Sequence, residues 1–205
     1  MSDEFIIGID LGTTSVKVAL INKHSFKIHT SPTWSVESKA DVISSAEPSG
    51  HEQDPDRILA ALRDCLSRIP NELLKGVVEI AVSGQMHGVM MWRWEDNMED
   101  SSDLEQPSVV SPLYTWQDGR CSKEFLASLP PTGTHLSLAT GFASATLFWL
   151  VRHEPGSLEI YDCAGTVHDY LVAMLCRRNR PVMSVHNAAS WGYFDTITRT
   201  WNLEA

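Results

Sequence analysis

An acidic residue, a run of small polar residues and a lysine follow one another near the start of the chain. In order they are Asp10, Leu11, Gly12, Thr13, Thr14, Ser15, Val16 and Lys17. Backbone N–H groups in a tight turn can converge on an anion, and the three hydroxyl groups add further donors. Gly12 has no Cβ, so a phosphate could approach the backbone closely. The segment therefore predicts a phosphate site.

Asp10 and Lys17 carry the charges that a phosphoryl-transfer site needs. We expect Asp10 to hold Mg²⁺, directly or through water, because Mg²⁺ binds few carboxylates and completes its shell with water and phosphate oxygens. Lys17 is expected to act as a point charge on the phosphoryl group in transfer. The alternative is an edge hairpin whose Asp and Lys are only solvated. Neither a Gly-x-x-x-x-Gly-Lys-Ser/Thr loop nor a Gly-x-Gly-x-x-Gly fingerprint occurs in the sequence, which argues against two common nucleotide sites.

Two further polar groups are suited to a small polyol. The first comprises Gln85, Met86, His87 and Gly88, which follow a predicted strand, where a loop can carry function on a rigid support. The second comprises an aromatic platform with polar neighbours: Trp116, Gln117, Asp118 and Arg120. An indole can stack on the C–H face of a sugar while polar side chains bind its hydroxyls. The alternatives are a structural histidine and a tryptophan that anchors a turn to the core.

These groups must be positioned by strands and helices that the pattern of apolar residues predicts. Apolar runs at 5–9 and 16–21 predict a hairpin, and 26–30 a third strand. Asp54 and Pro55 are typical of a helix start, followed by apolar residues at helical spacing. Strands are predicted at 77–82, 89–92 and 191–196, and helices at 123–129, 145–153 and 168–176. This alternation indicates an α/β fold.

The end of the chain, Trp201 to Ala205, resembles the first turn of a helix capped by Asn202. Because one turn cannot bury a helix face, we expect the chain to be a fragment or short form of a longer protein. A run of six carboxylates between Glu95 and Glu105 is typical of a solvated insertion loop.

Composition narrows the class of protein. The 16 Lys and Arg against 26 Asp and Glu give a net charge of −10 without a basic block, which argues against nucleic acid and anionic membranes as partners. The four cysteines lie far apart, which indicates reduced thiols and no zinc site. No apolar run reaches the ~18 residues of a membrane span, and Asp3 and Glu4 stand where a secretory signal would be basic. We therefore expect a cytoplasmic protein.

Several motifs together carry a family resemblance. The phosphate segment resembles the first phosphate motif of the actin, Hsp70 and sugar-kinase superfamily, whose duplicated ribonuclease-H-like fold binds ATP between two lobes. Gly-Gln-Met-His-Gly at 84–88 and Trp-Gln-Asp-Gly-Arg at 116–120 resemble the sugar loop and the next motif of the FGGY carbohydrate kinases. Matches continue through Gly141-Phe142, Trp149, 153–155, 168–170 and 187–190, nearly end to end.

The resemblance implies an α/β ribonuclease-H-like N-terminal lobe over residues 1–205, with the second lobe absent. It implies transfer of the γ-phosphoryl of ATP, with Mg²⁺, to a ketose. Asp10 and Lys17 would be catalytic, Gly12 to Ser15 would bind phosphates, and the ketose would lie on Gln85, Met86, His87, Gly88, Trp116, Asp118 and Arg120.

Strings such as Asn-Ala-Ala-Ser-Trp-Gly-Tyr-Phe at 187–194 favour, within the family, a member that converts sedoheptulose to sedoheptulose 7-phosphate over one that acts on xylulose. Thr146 replaces a lysine that many members have, which also disfavours xylulose. The family's catalytic Asp, a general base in a Gly-Asp motif of the second lobe, has no counterpart in this sequence. The alternatives are therefore a catalytically incomplete sugar-binding or regulatory lobe, and a kinase for another ketose. The oligomeric state is left open, a homo-oligomer included.

Overall fold

The structure is a computed structural model that describes residues 3–29, 33–42, 47–94, 107–133 and 135–204. The chain divides into two compact units. The first comprises Met1–Ala40 and Asp54–Gln85, and the second comprises Asp41–Gln53 and Met86–Ala205. Within the described ranges, no helix combines the length and apolarity needed to span a bilayer.

The strands, in chain order, are β1 Phe5–Leu11, β2 Ser15–Asn22, β3 Trp34–Glu37, β4 Asp41–Val42, β5 Glu52–Gln53, β6 Val77–Gly84, β7 Met90–Arg93, β8 Val109–Val110, β9 Leu113–Tyr114, β10 Cys163–Gly165, β11 Phe194–Asp195 and β12 Thr200–Trp201. The helices are α1 Pro55–Ser67, α2 Asn71–Leu74, α3 Lys123–Ala127, α4 Ala143–His153, α5 Val167–Leu175 and α6 Val185–Ser190.

The first unit is built on a four-stranded sheet in the order β3-β2-β1-β6. The β1 and β2 strands are antiparallel, and their register sets Asp10 opposite Lys17. The β6 strand lies parallel to β1 on its other side, with Ser83 opposite Asp10. The sheet therefore brings three polar side chains from three neighbouring strands into one row.

Alternation of apolar and small or polar residues gives this sheet one buried face. Every second residue of β1, from Phe5 to Leu11, is buried, as expected of strands whose successive side chains point to opposite sides. The α1 helix packs against β2 and β3. Its start is fixed by Asp54, whose side chain accepts a hydrogen bond from the Asp56 backbone N–H at 2.9 Å, a standard N-cap contact.

The β6 strand is an edge strand among the described residues, since β1 is its one neighbour in the sheet. Its register sets Ile80 opposite the buried Ile7 of β1. Nevertheless Val78 and Ile80 are 48% and 51% exposed. The apolar face of the sheet is therefore covered over β1 and β2 and open over β6.

The second unit contains two three-stranded sheets, in the orders β10-β7-β8 and β4-β5-β9, and the β11–β12 hairpin. One core cluster joins Val89, Met91, Ala143, Leu150 and Trp191. The β7 strand is buried along most of its length, and α4 contributes to the same core. The loops that precede β7 and α4 therefore end at fixed positions.

Most sequence-based element predictions are confirmed. The structure has the first hairpin, α1 with its Asp54 cap, the strands near 77–84 and 90–93, and helices close to the three predicted in the second half. The α/β class follows from these elements.

Three element predictions are wrong. The third strand lies at Trp34–Glu37 rather than at 26–30, because the chain turns at Phe26, which has a φ of 54°. The strand predicted at 191–196 is confined to Phe194–Asp195, after the unpredicted α6. Trp201 lies in β12 rather than in a helix, since Thr200–Trp201 pairs with Phe194–Asp195. The carboxylate run between 95 and 105 lies outside the described residues.

Candidate functional site

The turn between β1 and β2 is closed by its own backbone. The Gly12 N–H donates to the Ser15 carbonyl oxygen at 3.1 Å, and a Cβ on Gly12 would lie 2.9 Å from the same oxygen. A side chain would therefore collide with the turn. Gly12 serves the turn with its N–H, which leaves Thr13, Thr14 and Ser15 as the predicted phosphate donors of this segment.

The tip of this turn is attached to the start of the next segment. The Thr14 carbonyl oxygen accepts from the Ser38 backbone N–H at 3.0 Å and from its hydroxyl at 3.3 Å. Thr14 itself is exposed. The hairpin thus presents polar side chains to solvent while its backbone is held by β1, β2 and Ser38.

Asp10 and Lys17 face each other across the strands. The Lys17 Nζ lies 3.8 Å from Asp10 Oδ2, and the two side chains are 55% and 46% exposed. The Ser83 hydroxyl donates to Asp10 Oδ1 at 3.3 Å. A carboxylate has about four lone-pair sites, so Asp10 can keep both contacts and still bind an ion. This donor set fits a hydrated Mg²⁺ better than an all-protein cage.

Beside this row lies an open cavity of about 350 Å³. It is lined mainly by small residues on the face of the sheet opposite α1: Gly8, Ile9, Asp10, Lys17, Val18, Ala19, Thr33, Ala81, Val82 and Ser83. Gln85 extends the same sheet, since its backbone N–H donates to the Leu11 carbonyl oxygen at 2.9 Å. The first unit therefore collects the predicted phosphate residues and Gln85 at one end of β1 and β6.

The Met86–Gly88 loop of the second unit has a strained centre. His87 has a φ of 69°, a conformation uncommon outside glycine and often found at functional sites. The Gly88 N–H donates to the Met86 carbonyl oxygen at 2.8 Å, which closes the turn around it. Met86 is 36% exposed. The loop thus holds one imidazole in a fixed position beside an accessible thioether.

Three contacts fix the side chain and the main chain of His87. Its ring stacks on Phe142 with centroids 4.4 Å apart and planes 6° from parallel. Its carbonyl oxygen accepts from the Ala143 N–H at 2.8 Å. Its Nδ1 lies 3.4 Å from the Ser190 carbonyl oxygen. A carbonyl oxygen can only accept, so Nδ1 carries the proton and Nε2 is the acceptor of the neutral ring.

The Thr140–Ala143 segment, which we call the clamp, also fixes the Trp116 turn. The Thr140 hydroxyl donates to the Asp118 carbonyl oxygen at 2.8 Å. Gly141 has a φ of 77°, and a Cβ there would lie 2.1 Å from the Trp116 carbonyl oxygen. The clamp therefore links both polar groups that the sequence analysis assigned to a sugar.

Trp116 stands on a turn and is 47% exposed. The Asp118 N–H donates to the Thr115 carbonyl oxygen at 3.1 Å, and the Gln117 N–H donates to the Thr115 hydroxyl at 3.2 Å. The Gly119 N–H then donates to the Ser49 carbonyl oxygen at 2.8 Å. An exposed indole on so constrained a backbone is suited to stacking on a ligand.

Asp118 and Arg120, in contrast, lie in the interior. Asp118 is 0% exposed, and its carboxylate accepts from the His51 and Arg120 backbone N–H groups and from Arg120 Nε and Nη2, at 2.8–3.1 Å. Arg120 Nη2 also donates to Glu52 Oε1 at 2.7 Å. The guanidinium lies 4.6 Å from the centroid of the Tyr114 ring and 5.1 Å from that of the Trp149 ring. Both side chains thus have protein partners.

This ionic network perturbs its neighbours. Burial opposes the charge of Arg120, but hydrogen bonds to Asp118 and Glu52 outweigh it and raise the pKa of the guanidinium. Burial and the charge of Glu52 raise the pKa of Tyr114. Burial, assisted by Asp118, raises the pKa of the Cys121 thiol to about 12. Arg120 therefore stays charged, and the other two groups stay neutral at physiological pH.

Sequence reasoning missed several residues that position these groups. Glu52 and Ser38 lie in a polar stretch that carried no periodic signal, and their contacts span large separations in the chain. Phe142 and Gly141 were noted as parts of a motif without a role. The signal that could have identified them is a Gly next to an aromatic residue directly before a helix, since such a Gly permits close approach.

Comparison with known proteins shows which family the chain matches. Residues 5–205 match the family described as "FGGY family of carbohydrate kinases, N-terminal domain". The chain is 51% identical to sedoheptulokinase from Homo sapiens, over 97% of this chain and 44% of that protein. It is 30% identical to xylulose kinase from Escherichia coli K12, over 96% of this chain and 38% of that protein. The chain thus spans less than half the length of these relatives.

Solved structures agree on the fold. A Plasmodium falciparum glycerol kinase with ADP superposes with a TM-score of 0.73 at 19% identity, over 98% of this chain and 40% of that one. A xylulose kinase from Rhodospirillum rubrum gives the same TM-score at 21% identity, with the same coverage. Both belong to the class of fold that the sequence predicted.

Proposed function

The chain belongs to the FGGY family of carbohydrate kinases, and from this premise we propose that the protein containing it transfers the γ-phosphoryl of ATP to sedoheptulose. The observation that carries the choice of substrate is the identity of 51% to human sedoheptulokinase, against 30% to a xylulose kinase of similar coverage. The product would be sedoheptulose 7-phosphate. The chain itself would be the N-terminal lobe of this enzyme.

On the phosphate side, Thr13, Thr14 and Ser15 would donate to phosphate oxygens and Lys17 would neutralise charge on the transferred group. Asp10 would hold Mg²⁺, which when bound neutralises and orients the phosphates. The half-exposed Asp10 and Lys17 side chains support these roles, because they can reach a ligand without breaking a buried contact. Gly12 would contribute by keeping the turn compact.

On the ketose side, Met86, Gly88 and Trp116 of the second unit would form the contact surface, with His87 as the residue that recognises a hydroxyl. A ketose contact of Gln85, which belongs to the first unit, follows from the family resemblance alone. The Ser190 carbonyl oxygen fixes the proton on His87 Nδ1, so the free Nε2 would accept a hydrogen bond from the sugar. Trp116 would stack on the C–H face of the ketose. The rigid turns beneath both residues support binding without reorganisation, which favours affinity.

The reaction moves one phosphoryl group. The oxygen of the terminal hydroxyl of the ketose bonds to the γ-phosphorus of ATP, the bond from that phosphorus to the β,γ-bridging oxygen breaks, and ADP leaves. The hydroxyl proton passes to a general base, which the family resemblance assigns to an Asp of the second lobe. The residues of this chain would contribute alignment and charge neutralisation, which dominate phosphoryl transfer.

The test is an ADP-release assay on a version of the chain that continues, after residue 205, into the C-terminal half of human sedoheptulokinase. With ATP and Mg²⁺ we expect a higher kcat/KM for sedoheptulose than for xylulose or glycerol. Preference for xylulose would refute the substrate assignment alone. A folded fusion that turns over no polyol would refute phosphoryl transfer. If the 205-residue chain releases no ADP but still binds sedoheptulose, it is a sugar-binding lobe.

The metal role has its own matched pair of variants. Asp10→Asn should lower kcat by about 10²-fold, because the loss of one electrostatic contact to a transition state has about this effect. Asp64→Asn is the control, since Asp64 on α1 is also half-exposed and forms an ion pair with Arg68, the residue after the helix. Equal rates for the two variants would exclude the role assigned to Asp10.

The same proposal gives a location. All four cysteines are free, as is usual for a protein of the reducing cytoplasm. We propose a cytoplasmic enzyme whose partners are a ketose and ATP.

A further inference from the structure

The network of Glu52, Arg120 and Asp118 has an electrostatic cost that stability alone does not explain. Removing charges from water is expensive, and buried ion pairs seldom stabilise a fold more than apolar residues of similar volume. The Arg120 and Asp118 side chains are 2% and 0% exposed, and that of Glu52 is 14% exposed. Such networks are instead suited to fixing one conformation.

The conformation that this network fixes is that of the Trp116 turn. Asp118 is the last residue of the turn, and its carboxylate accepts four hydrogen bonds. Those bonds fill the capacity of the carboxylate. Arg120 supplies three of the donors, its backbone N–H and its side-chain Nε and Nη2. Its Nη2 also donates to Glu52 Oε1 at 2.7 Å. Glu52 therefore acts on the Trp116 turn through two intermediates.

Direct contact of these charges with a sugar does not fit the geometry. Asp118 has no accessible surface, and the Arg120 guanidinium lies against the Tyr114 and Trp149 rings. Trp116, in contrast, is about half exposed. The exposed part of the assembly is the indole, and the charged part is its support.

We propose that Glu52 is a positioning residue for ketose binding, which acts through Arg120 and Asp118 to hold Trp116, and that none of the three charged groups touches the sugar. This assignment rests on the proposed function. It replaces the direct role that the sequence analysis expected for Asp118 and Arg120.

The test is a double-mutant cycle on sedoheptulose binding by the 205-residue chain, measured by titration calorimetry well below the melting temperature. Trp116→Ala should weaken binding at least tenfold, and Glu52→Gln at least fivefold. The double variant should bind no more weakly than Trp116→Ala alone, because Glu52 acts only through the indole. Glu72→Gln is the control, since Glu72 forms an exposed ion pair with Lys75 and should leave binding unchanged.

Each other outcome overturns a distinct statement. A lower melting temperature with unchanged affinity in Glu52→Gln would make the network purely structural. A double variant that binds sedoheptulose fivefold more weakly than Trp116→Ala would mean that the charges contact the sugar. Should Glu52→Gln fail to fold, Arg120→Lys enters the cycle in its place, because it keeps the charge but loses the bidentate geometry. Wild-type chain that binds neither sedoheptulose nor xylulose would refute the ketose site that the proposed function assigns to this lobe, whereas the proposed phosphoryl transfer is refuted by the fusion that turns over no polyol.

Discussion

Replacing Gly141 by alanine tests whether the clamp holds the Trp116 turn. Two effects add at this position. The φ of 77° costs an alanine about 1–2 kcal/mol. In addition, its Cβ would lie 2.1 Å from the Trp116 carbonyl oxygen, well inside any real contact. Relief of that clash moves a backbone whose neighbouring Asp118 carbonyl oxygen is held by Thr140, and a lost hydrogen bond costs about 1 kcal/mol. We expect a loss of about 3 kcal/mol.

Gly156 offers a matched control. It has a φ of 84°, but the nearest atom to a Cβ there is 4.0 Å away on the flexible Glu159 side chain. Gly156→Ala should therefore cost about 1–2 kcal/mol, the conformational part alone.

Thermal and urea unfolding separate the two effects. For a chain of this size, 1 kcal/mol shifts Tm by about 2–4 °C. Gly156→Ala should lower Tm by about 2–8 °C, and Gly141→Ala by about 6–12 °C. Sedoheptulose binding should weaken in Gly141→Ala and stay unchanged in Gly156→Ala. Equal Tm losses in the two variants would refute the close approach of the clamp to the Trp116 turn.

Two further predictions concern the same unit. His87→Gly should leave the free energy of unfolding within about 1 kcal/mol of wild type, because relief of the positive φ offsets the lost stacking on Phe142. Titration calorimetry should nevertheless show that sedoheptulose binding is lost. Retained affinity would remove His87 from the ketose site. Stability should fall as pH rises above about 9, because burial first, then Asp118, raises the pKa of Cys121 to about 12, so that the unfolded thiol releases its proton earlier than the folded one. Urea unfolding from pH 8 to 11 should show a smaller decline in Cys121→Ala, and identical declines would contradict the assignment.

Local signals in the sequence accounted for the first hairpin and α1. The turn at Gly12 and the cap at Asp54 depend on residues within a few positions of each other, which is the range that pattern and propensity report. The strand predicted at 26–30 failed for an equally local reason. The Asn22 side chain accepts from the His24 and Ser25 N–H groups and forms a turn there, a habit of Asn that competes with strand pairing.

In the candidate site, too, features set by residues close in the sequence could be predicted, and features set by distant residues could not. The register that sets Asp10 opposite Lys17 follows from the short turn between β1 and β2, which is a local feature of the sequence. The burial of Asp118 and Arg120 could not be predicted, since it depends on Glu52, 68 positions from Arg120 in the chain. The clamp was equally invisible, because its effect comes from a distance of closest approach and not from a residue type.

The open edge of the first sheet bears on how the isolated chain behaves in solution. Among the described residues β6 has one neighbouring strand, and Val78 and Ile80 are exposed beside its free edge. Unpaired backbone groups next to an apolar surface form a template on which a second copy can add a strand. The 205-residue chain handled alone should therefore self-associate as its concentration rises, and Ile80→Lys should suppress that association, as edge lysines do in natural sheets.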